Sequence, residues 1–328
     1  MNTIEQCNAH TGIQDPDKPV DIWFQESNEG KILFVVFYTQ ACRWQKCIGC
    51  NFHDQASKKH VDYDNLMNQI SFVFDNIDTT GVNKVIFSNG GSMLDEVTFS
   101  TTALMYLVAK LNKRHKHIKI ICLESRIEYI DIAELTILKR ALLEGNSETE
   151  LELGIGFEAF DNHIRNELFK KGIELKQFED FFKIIQPFGF SIKCYFMLKP
   201  VPGITDSQAI NDIFRAIHYL NYCCEEYNIK INMHLNLTYV AKGTKLVTAF
   251  ENGEYTPPTL KDAAKAISIA YKHLILNPLF SIYIGLYDEG LAVEGGSFIR
   301  EGDENNLKLL EQFNITQDYS LIEEVLKS

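Results

Sequence analysis

The chain has 328 residues, of which 45% are hydrophobic and 23% charged, with 19 Gly and 8 Pro. This composition excludes the disordered, collagen-like and low-complexity classes and allows a large core. The 44 Asp and Glu residues outnumber the 32 Lys and Arg residues, so the formal net charge is -12. That charge argues against a nucleic-acid polymer as the primary partner, because phosphate binding requires a basic surface.

The sequence predicts a protein of the reducing cytoplasm. Its apolar runs, such as 32–38, are far shorter than the roughly 18 to 20 residues of a membrane-spanning helix. Residues 1–10 lack the basic segment and apolar run of a secretory signal. In a reducing compartment the eight cysteines are expected to be thiols or metal ligands. Five of them show no ligand spacing and are predicted to be small buried hydrophobic residues: Cys7, Cys122, Cys194, Cys223 and Cys224.

Short β-branched apolar runs predict six strands that are buried on both faces. In chain order they are 32–38, 85–87, 118–123, 151–157, 190–198 and 229–237. Apolar residues at helical spacing lie between them, as in the series 66–77, 104–111 and 210–217. Thr205 and Gln208 form a capping-box pattern after Pro200, Pro202 and Gly203, which predicts the start of a helix.

The alternation of strands and helices predicts a parallel sheet with right-handed crossovers. Six units favour an α/β fold of the partial (βα)6 barrel type, related to the TIM barrel. After Leu237 a polar loop and Pro257-Pro258 precede one more helix, 260–274, and one more strand, 280–286. With no long linker, we expect an N-terminal segment 1–28, a barrel core 29–245 and a C-terminal α/β extension 246–328 packed on the core.

The segment after the first predicted strand carries three cysteines within nine residues: Cys42, Cys47 and Cys50. Such a loop can hold one face of an iron–sulfur cube, and three thiolates leave one iron open to an exogenous ligand. The alternative is a structural zinc site with His53 as fourth ligand. The position of the loop after a barrel strand favours a functional site, because structural zinc usually stabilises segments that lack a core.

This loop and four further motifs resemble the radical S-adenosylmethionine (SAM) enzymes. The spacing Cys42-x4-Cys47-x2-Cys50 departs from the usual Cys-x3-Cys-x2-Cys and is shared by the subgroup related to the archaeosine radical enzyme. The other motifs are Ser88-Asn-Gly-Gly-Ser-Met-Leu-Asp95, Glu124-Ser-Arg126, Gly156-Phe-Glu158 with Lys171-Gly172, and Lys199-Pro200. The resemblance covers roughly residues 30–245 and implies a 4Fe-4S cluster on the three cysteines, with SAM as the second cofactor.

Several residues are predicted to bind SAM. The turn 89–92 follows a strand and precedes a helix, so its backbone amides are expected to lie close to the methionine part of the cofactor. This turn contains Asn89, Gly90, Gly91 and Ser92. Glu124 is suited to ribose hydroxyls and Arg126 to the cofactor carboxylate, with a surface ion pair as the alternative. The remaining predicted cofactor contacts are Phe52, Ser125 and Asn236.

Glu158 and Lys199 are the predicted catalytic residues. Glu158 ends an apolar strand, so its carboxylate is expected to point into the barrel mouth and contact cofactor or substrate. Lys199 ends the next strand, with a plain salt bridge as its alternative. Phe160 is predicted to stack on the substrate, with packing against a helix as the alternative. The other predicted substrate contacts are His53, Tyr239 and Asp288.

The resemblance implies that a reduced cluster cleaves SAM and that the 5'-deoxyadenosyl radical removes hydrogen from a substrate. The subgroup includes tRNA-modifying enzymes and a queuine lyase that frees the 7-deazaguanine base queuine from a queuosine nucleotide. The net charge favours the lyase, which breaks a C–N bond in a small nucleotide such as queuosine 5'-phosphate, with flavodoxin or ferredoxin as electron donor. The alternatives are a radical SAM enzyme that modifies tRNA and a zinc-stapled binding module without catalysis.

Overall fold

The computed structural model describes residues 14–50, 56–145, 148–288 and 290–328. Cys7, Phe52 and His53 lie outside the described residues, and so do the predictions made for them. Within the described ranges the chain forms eight strands, Asp21–Ser27 (β1), Gly30–Phe37 (β2), Val82–Asn89 (β3), Ile120–Ser125 (β4), Glu150–Glu158 (β5), Ser191–Leu198 (β6), Ile231–Leu237 (β7) and Phe280–Gly285 (β8).

The strands alternate with helices, as the sequence predicts. The helices are Tyr63–Asn76 (α1), Thr101–Arg114 (α2), Ile132–Glu144 (α3), Leu175–Ile185 (α4), Asp206–Tyr227 (α5), Leu246–Glu251 (α6), Leu260–His273 (α7), Glu304–Thr316 (α8) and Tyr319–Lys327 (α9). A π-helical segment, His163–Leu168, follows β5. In the part of the chain that the structure describes, we find no helix that is both long and apolar enough to cross a membrane.

The strands lie in one mixed sheet in chain order, β1 to β8. The first pair, β1 and β2, is antiparallel. Strand β2 is parallel to β3, β3 to β4, β4 to β5, β6 to β7 and β7 to β8. The α/β class is confirmed, and all seven predicted apolar runs are strands. The capping box at Thr205 is also present and begins α5.

The chain divides into two compact units. Unit 1 contains residues 14–45, 56–145, 148–155 and 187–191, and unit 2 contains residues 46–50, 156–186, 192–288 and 290–328. In unit 1 the core lies between β2 to β4 and the apolar faces of α1 and α2, where residues such as Leu33, Val85 and Leu107 are fully buried. In unit 2 the rings of Phe157 and Phe178 stack at 3.7 Å between centroids.

A buried charge network lies inside unit 1. The Lys84 ammonium on β3 contacts the Glu29 carboxylate at 2.6 Å and the Glu152 carboxylate on β5 at 2.5 Å. Burial would lower the pKa of Lys84, but the two carboxylates outweigh it and raise that pKa above its ordinary value. Lys84 is therefore charged inside the core and ties the turn before β2 to the sheet.

Candidate active site

The first part of the cysteine loop is anchored in unit 1. The Cys42 N–H donates to the carbonyl of Gly90 at 2.8 Å. The next residue, Arg43, donates two hydrogen bonds of 2.8 Å to the buried carboxylate of Asp95, and its guanidinium lies 4.7 Å from the ring centre of Tyr129. A bidentate Arg–carboxylate pair is geometrically specific as well as strong. These contacts fix Cys42 beside the turn that follows β3.

That turn is the predicted SAM-binding segment 89–92. The Gly91 N–H donates to Oδ1 of Asn89 at 2.8 Å, and Ser92 Oγ accepts the Arg126 N–H at 3.1 Å. The N–H of Met93 donates to the carbonyl of Glu124 at 2.8 Å. The structure therefore brings together two motifs that lie more than thirty residues apart, the turn after β3 and the Glu-Ser-Arg segment that ends β4.

Asn89 supplies an unsatisfied donor in this turn. Its Nδ2 is buried and has no hydrogen-bond partner among the residues that the structure describes. A buried donor without an acceptor costs free energy, and such groups occur where a ligand supplies the missing acceptor. Asn89 thus fits its predicted place in a binding site for a ligand that carries acceptor oxygens.

The three predicted SAM contacts at the end of β4 are engaged by neighbouring residues: Glu124, Ser125 and Arg126. Arg126 is buried and its Nε donates to Glu128 at 2.6 Å, while its guanidinium lies 5.1 Å from the ring centre of Trp44. Arg126 thus forms an ion pair with Glu128, which matches the ion-pair alternative except that Arg126 is buried. The buried hydroxyl of Ser125 donates to the carbonyl of Arg126 at 3.2 Å. Glu124 fills space beside Gly154, where an added Cβ would lie 3.0 Å from Glu124 Cγ.

The second part of the cysteine loop is anchored in unit 2 by the segment after the π-helical turn. The Ile48 N–H donates to the carbonyl of Phe169 at 3.0 Å, and the Cys47 Sγ lies 3.9 Å from the carbonyl of Lys170. The Cys50 N–H donates to the carbonyl of Cys47 at 3.4 Å, which closes a tight turn between these two cysteines. The loop segment is therefore held through its backbone.

The same anchoring segment positions Glu158. The Lys171 ammonium contacts Glu158 Oε1 at 2.8 Å, and the side chains are 8% and 15% exposed. The Lys171 N–H donates to the carbonyl of Arg165, a fully buried residue whose guanidinium donates to the carbonyls of Ala159 and Ile173. Glu158 is thus largely buried and paired with one lysine.

The backbone is strained at both predicted catalytic residues, Glu158 and Lys199. Glu158 has a φ of 69° and Lys199 a φ of 59°, both in the left-handed region that residues with a side chain rarely adopt. Lys199 donates to Asp206 at 2.6 Å, which is the salt bridge given as its alternative. Its carbonyl accepts the Tyr255 hydroxyl at 2.7 Å, and burial raises the pKa of that tyrosine. The catalytic role of Lys199 stays a prediction.

Phe160 packs against α5. Its ring lies 5.2 Å from that of Tyr219 and 4.9 Å from the guanidinium of Arg215, and its N–H donates to the buried carboxylate of Asp212 at 3.0 Å. Burial raises the pKa of Asp212 above its ordinary value. This is the packing against a helix given as its alternative, and stacking of Phe160 on a substrate stays a prediction.

The remaining predicted contacts lie at the carboxyl ends of β7 and β8. Asn236 is half-buried near the end of β7. Tyr239 follows β7 and is also half-buried. Asp288 follows β8, where its Oδ1 accepts the Gly290 N–H at 3.1 Å and shapes the turn. A substrate role for Tyr239 and Asp288 stays a prediction.

The cysteines separate into two classes, as predicted. Cys42, Cys47 and Cys50 are half-buried thiols, whereas the cysteines without ligand spacing are buried, namely Cys122, Cys194, Cys223 and Cys224. Burial raises the pKa of Cys223 and of Cys224 to about 12, so neither is a ready thiolate ligand. Over the described ranges no three His, Cys, Asp or Glu side chains are already gathered as a metal site. The donor chemistry of the loop fits an iron–sulfur cluster, and the ligand set stays a prediction.

Sequence reasoning missed the Arg43–Asp95 pair, although both residues lie in segments that it singled out. The two residues are separated by 52 positions in the chain. An arginine directly after a candidate cluster ligand and an aspartate that ends a candidate binding turn are the signals that could have suggested the pair.

Comparison with known proteins extends these observations. No family model matches the chain. The uncharacterized protein MJ0550 of Methanocaldococcus jannaschii is 26% identical over 326 residues, which cover 94% of this chain and 84% of that protein. Archaeosine synthase subunit beta of Thermococcus kodakarensis is 24% identical, covering 92% of this chain and 91% of that protein. The same-named protein of Methanosarcina acetivorans is 27% identical, covering 70% of this chain and 64% of that protein.

A solved structure has a related backbone. The archaeal Elp3 of Methanocaldococcus infernus superimposes with a TM-score of 0.51 at 17% identity, covering 76% of this chain and 58% of that one. The two proteins share a fold. The similarity therefore extends over most of this chain in sequence, to the archaeosine synthase beta subunits, and over about three quarters of it in structure.

Proposed function

We propose that this protein is a radical SAM enzyme in which Cys42, Cys47 and Cys50 hold a 4Fe-4S cluster. The observation that carries the proposal is the anchoring of the cysteine loop. Cys42 is bound to the turn 89–92, and Cys47 is held by the segment that carries Lys171. Each half of the loop is thus attached to a motif of the family that the sequence resembles. The similarity to one archaeosine synthase subunit beta over 92% of the chain supports the same assignment.

The residues around the loop fit the two cofactors. When bound, the cluster supplies one electron and SAM supplies the group that removes a hydrogen atom. The buried Nδ2 of Asn89 offers a donor to the oxygens of SAM, next to the turn that ends at Ser92. Arg126, tied to that turn through its backbone, is suited to a carboxylate, and Glu124 to ribose hydroxyls.

We further propose that the substrate is a small nucleotide and that the reaction releases its 7-deazaguanine base, as in a queuine lyase. The net charge of -12 supports a small substrate over a polyanion. The Glu158 carboxylate lies 2.8 Å from Lys171 and its side chain is 15% exposed, so it can accept the N–H groups of a guanine-like edge. In this arrangement Glu158 orients the base and Lys171 holds the carboxylate in position.

The second candidate is a radical SAM enzyme that modifies tRNA with a partner subunit. The names of the two archaeosine synthase relatives favour it, because each is called a subunit beta. The two candidates share the cofactor chemistry and differ in the size and charge of the substrate.

The cofactor proposal is tested by anaerobic reconstitution and metal analysis. We expect about four iron and four sulfide per chain and a brown colour. After addition of a reductant and SAM, we also expect 5'-deoxyadenosine to form. Cys47→Ala should lose all three, whereas the matched variant Cys194→Ala, in a buried cysteine of β6, should keep them. One zinc per chain without iron would instead support the zinc-stapled module and end the radical SAM proposal.

The substrate proposal is tested separately with queuosine 5'-phosphate. We expect free queuine to appear together with 5'-deoxyadenosine when reductant and SAM are present. Glu158→Gln, which keeps the size of the side chain but removes its charge, should reduce base release at least tenfold. Deoxyadenosine without base release in the wild-type protein would rule out the lyase while leaving the cofactor proposal intact.

A further inference from the structure

The segment that follows β5 in unit 2, residues 159–173, folds back on itself, and we call it the 159–173 loop. It begins directly after Glu158 and ends shortly before α4. Its middle contains the π-helical segment His163–Leu168. Such segments are rare in proteins and are frequent at functional sites.

Arg165 lies at the centre of this loop and is fully buried. Its Nη1 donates to the carbonyls of Ala159 and Phe160, at 2.9 and 2.8 Å. Its Nε donates to the carbonyl of Ile173 at 2.8 Å, and its Nη2 donates to Oδ1 of Asn162 at 3.1 Å. One guanidinium thus binds the first and the last residue of the loop and closes it.

The buried charge of Arg165 is costly, because a guanidinium loses its hydration when it leaves water. The rings of Phe157 and Phe178 lie 5.2 and 5.8 Å from the guanidinium carbon and compensate in part. Burial lowers the pKa of Arg165, yet an arginine keeps its charge at neutral pH. Apolar residues of similar size often stabilise a core as well as buried charges do. The shape that Arg165 imposes on the loop accounts for its presence.

The closed loop brings Lys171 to the predicted catalytic carboxylate. The Lys171 N–H donates to the carbonyl of Arg165 at 2.9 Å, and the Lys171 ammonium lies 2.8 Å from Glu158 Oε1. Glu158 and Lys170 both have left-handed backbones, with φ of 69° and 67°. Such strain persists only where surrounding contacts hold it, and the closed loop supplies these contacts.

The neighbouring residues of the loop hold the segment that carries Cys47. The carbonyl of Phe169 accepts the Ile48 N–H at 3.0 Å, and that of Lys170 lies 3.9 Å from Cys47 Sγ. The Phe169 ring also lies against Gly49, where an added Cβ would be 3.1 Å from it. The same short stretch of the loop therefore contacts both the segment of the proposed cluster ligand and the proposed catalytic carboxylate.

We propose that Arg165 is a positioning residue, which fixes Lys171 against Glu158 and fixes the loop against the segment of Cys47. Arginine suits this role because its planar fork directs several donors along fixed directions, so that one side chain holds both ends of the loop. A lysine keeps the charge but has one nitrogen, which cannot bind both ends. The inference rests on the proposed function, in which Cys47 binds the cluster and Glu158 orients the substrate.

The first test measures the alkylation rate of each cysteine in the metal-free, reduced full chain by mass spectrometry. In Arg165→Lys the rate at Cys47 should rise at least fivefold, because local opening of the loop releases the segment around this thiol. The rate at Cys42 should stay within twofold of the wild-type rate, since the Cys42 N–H is bound to the carbonyl of Gly90 and not to the loop.

Two controls separate positioning from a general loss of stability. Arg215→Lys makes the same change in an exposed arginine that contacts Asp161 of the loop at 3.2 Å, and it should leave the Cys47 rate unchanged. The buried thiol of Cys194 reports on global unfolding, and its labelling should stay slow in both variants. An unchanged Cys47 rate in Arg165→Lys would overturn the inference, and so would equal acceleration at Cys47 and Cys194.

A second variant decides the question if Arg165→Lys does not fold. Asn166 Nδ2 donates to the carbonyl of Ile173, and Asn166 Oδ1 accepts the Ile173 N–H, both at 3.0 Å. Asn166→Ala loosens this end of the loop with Arg165 still present, so we expect a smaller rise at Cys47, of at least twofold. A wild-type rate at Cys47 in Asn166→Ala, with Arg165→Lys unfolded, would count against the positioning role.

The reconstituted enzyme tests the effect on Glu158. With reductant, SAM and queuosine 5'-phosphate, Arg165→Lys should release at least fivefold less base per 5'-deoxyadenosine, because Lys171 no longer holds the carboxylate. In a Glu158→Gln background the same change should have little further effect on this ratio. A full effect in both backgrounds would show that Arg165 does not act through Glu158. If the wild-type protein releases no base, the lyase proposal fails, whereas the Cys47 rate still decides the role of Arg165 because it requires no turnover.

Discussion

Glu158 combines a strained backbone with contacts that compensate for the strain. Its left-handed backbone, with a φ of 69°, carries a cost of about 1 to 3 kcal/mol for a residue with a side chain. Such strain persists only where surrounding contacts compensate for it, and here the Lys171 ion pair and the backbone bonds of the 165–171 segment do so. The strained residue is the predicted catalytic carboxylate. The location of the strain is thus consistent with a functional role.

Gly156 makes room for this ion pair, which leads to a prediction. A Cβ at position 156 would fall on Glu158 Oε1 and within 2.5 Å of Lys171 Nζ. Both atoms end flexible side chains, so Gly156→Ala should fold but separate the pair. We expect base release to fall at least tenfold while the affinity for SAM stays unchanged. Steady-state kinetics and equilibrium binding of SAM measure the two quantities.

The control is a double-mutant cycle with Lys171→Met. If both changes act by breaking one ion pair, their combined effect on kcat/KM should be much smaller than the product of the single effects. Independent, multiplicative effects would show that Gly156 acts on something other than the Glu158–Lys171 pair.

At the scale of elements, the sequence predicts the buried strands well because their signal is local. The apolar runs of β2 to β8 are β-branched and continuous, as strands covered on both faces require. β1 was not predicted, because Asp21–Ser27 mixes polar and apolar residues as an edge strand does. The Trp23 ring of β1 stacks on the Phe34 ring of β2 with 4.2 Å between centroids, so this contact depends on the neighbouring strand. A local pattern does not contain that information.

In the candidate site, too, local motifs can be predicted from the sequence and long-range ion pairs cannot. The cysteine spacing and the turn at Asn89 are local patterns, and both occur where strands end. The Arg43–Asp95 pair and the Lys84 network join residues more than fifty positions apart in the chain, such as Lys84 and Glu29. Long-range pairs of this kind follow from the fold, so a single sequence gives each charge but not its partner.

The start of α5 yields a prediction about stability. Thr205 Oγ1 accepts the Gln208 N–H at 3.2 Å, and Gln208 Oε1 accepts the Thr205 N–H at 2.8 Å. Thr205→Ala removes the first of these bonds and should lower the free energy of unfolding by about 1 kcal/mol. Urea denaturation measures the change. Asp206, the first residue of α5, also pairs with Lys199, so we expect a small loss of activity as well.

Thr205→Ser keeps a hydroxyl at the cap and is the matched control, with stability expected near that of the wild-type protein. An equal loss in Thr205→Ser and Thr205→Ala would show that the threonine methyl group, and not the capping bond, stabilises this end of the helix.

For the whole molecule, the charge distribution bears on the choice between a nucleotide and tRNA. Three of the five Lys and Arg residues in the densest basic segment, residues 110–119, contact acidic residues within unit 1. Lys110 and Arg114 both contact Asp75, at 3.1 and 3.2 Å, and Lys119 contacts Glu148 at 2.7 Å. These ion pairs reduce the positive charge that the segment presents, which agrees with the net charge of -12.

This arrangement predicts weak binding to tRNA. At about 150 mM salt we expect no saturable binding of tRNA by the purified protein, because few phosphates can be neutralised. Binding of queuosine 5'-phosphate should depend little on salt, since it carries one phosphate. Fluorescence anisotropy with labelled tRNA at about 50 and 200 mM salt checks the first expectation. The double variant Asp75→Lys with Glu148→Lys releases the basic residues and should bind tRNA measurably at the lower salt concentration. Tight, steeply salt-dependent binding by the wild-type protein would instead favour the tRNA-modifying candidate.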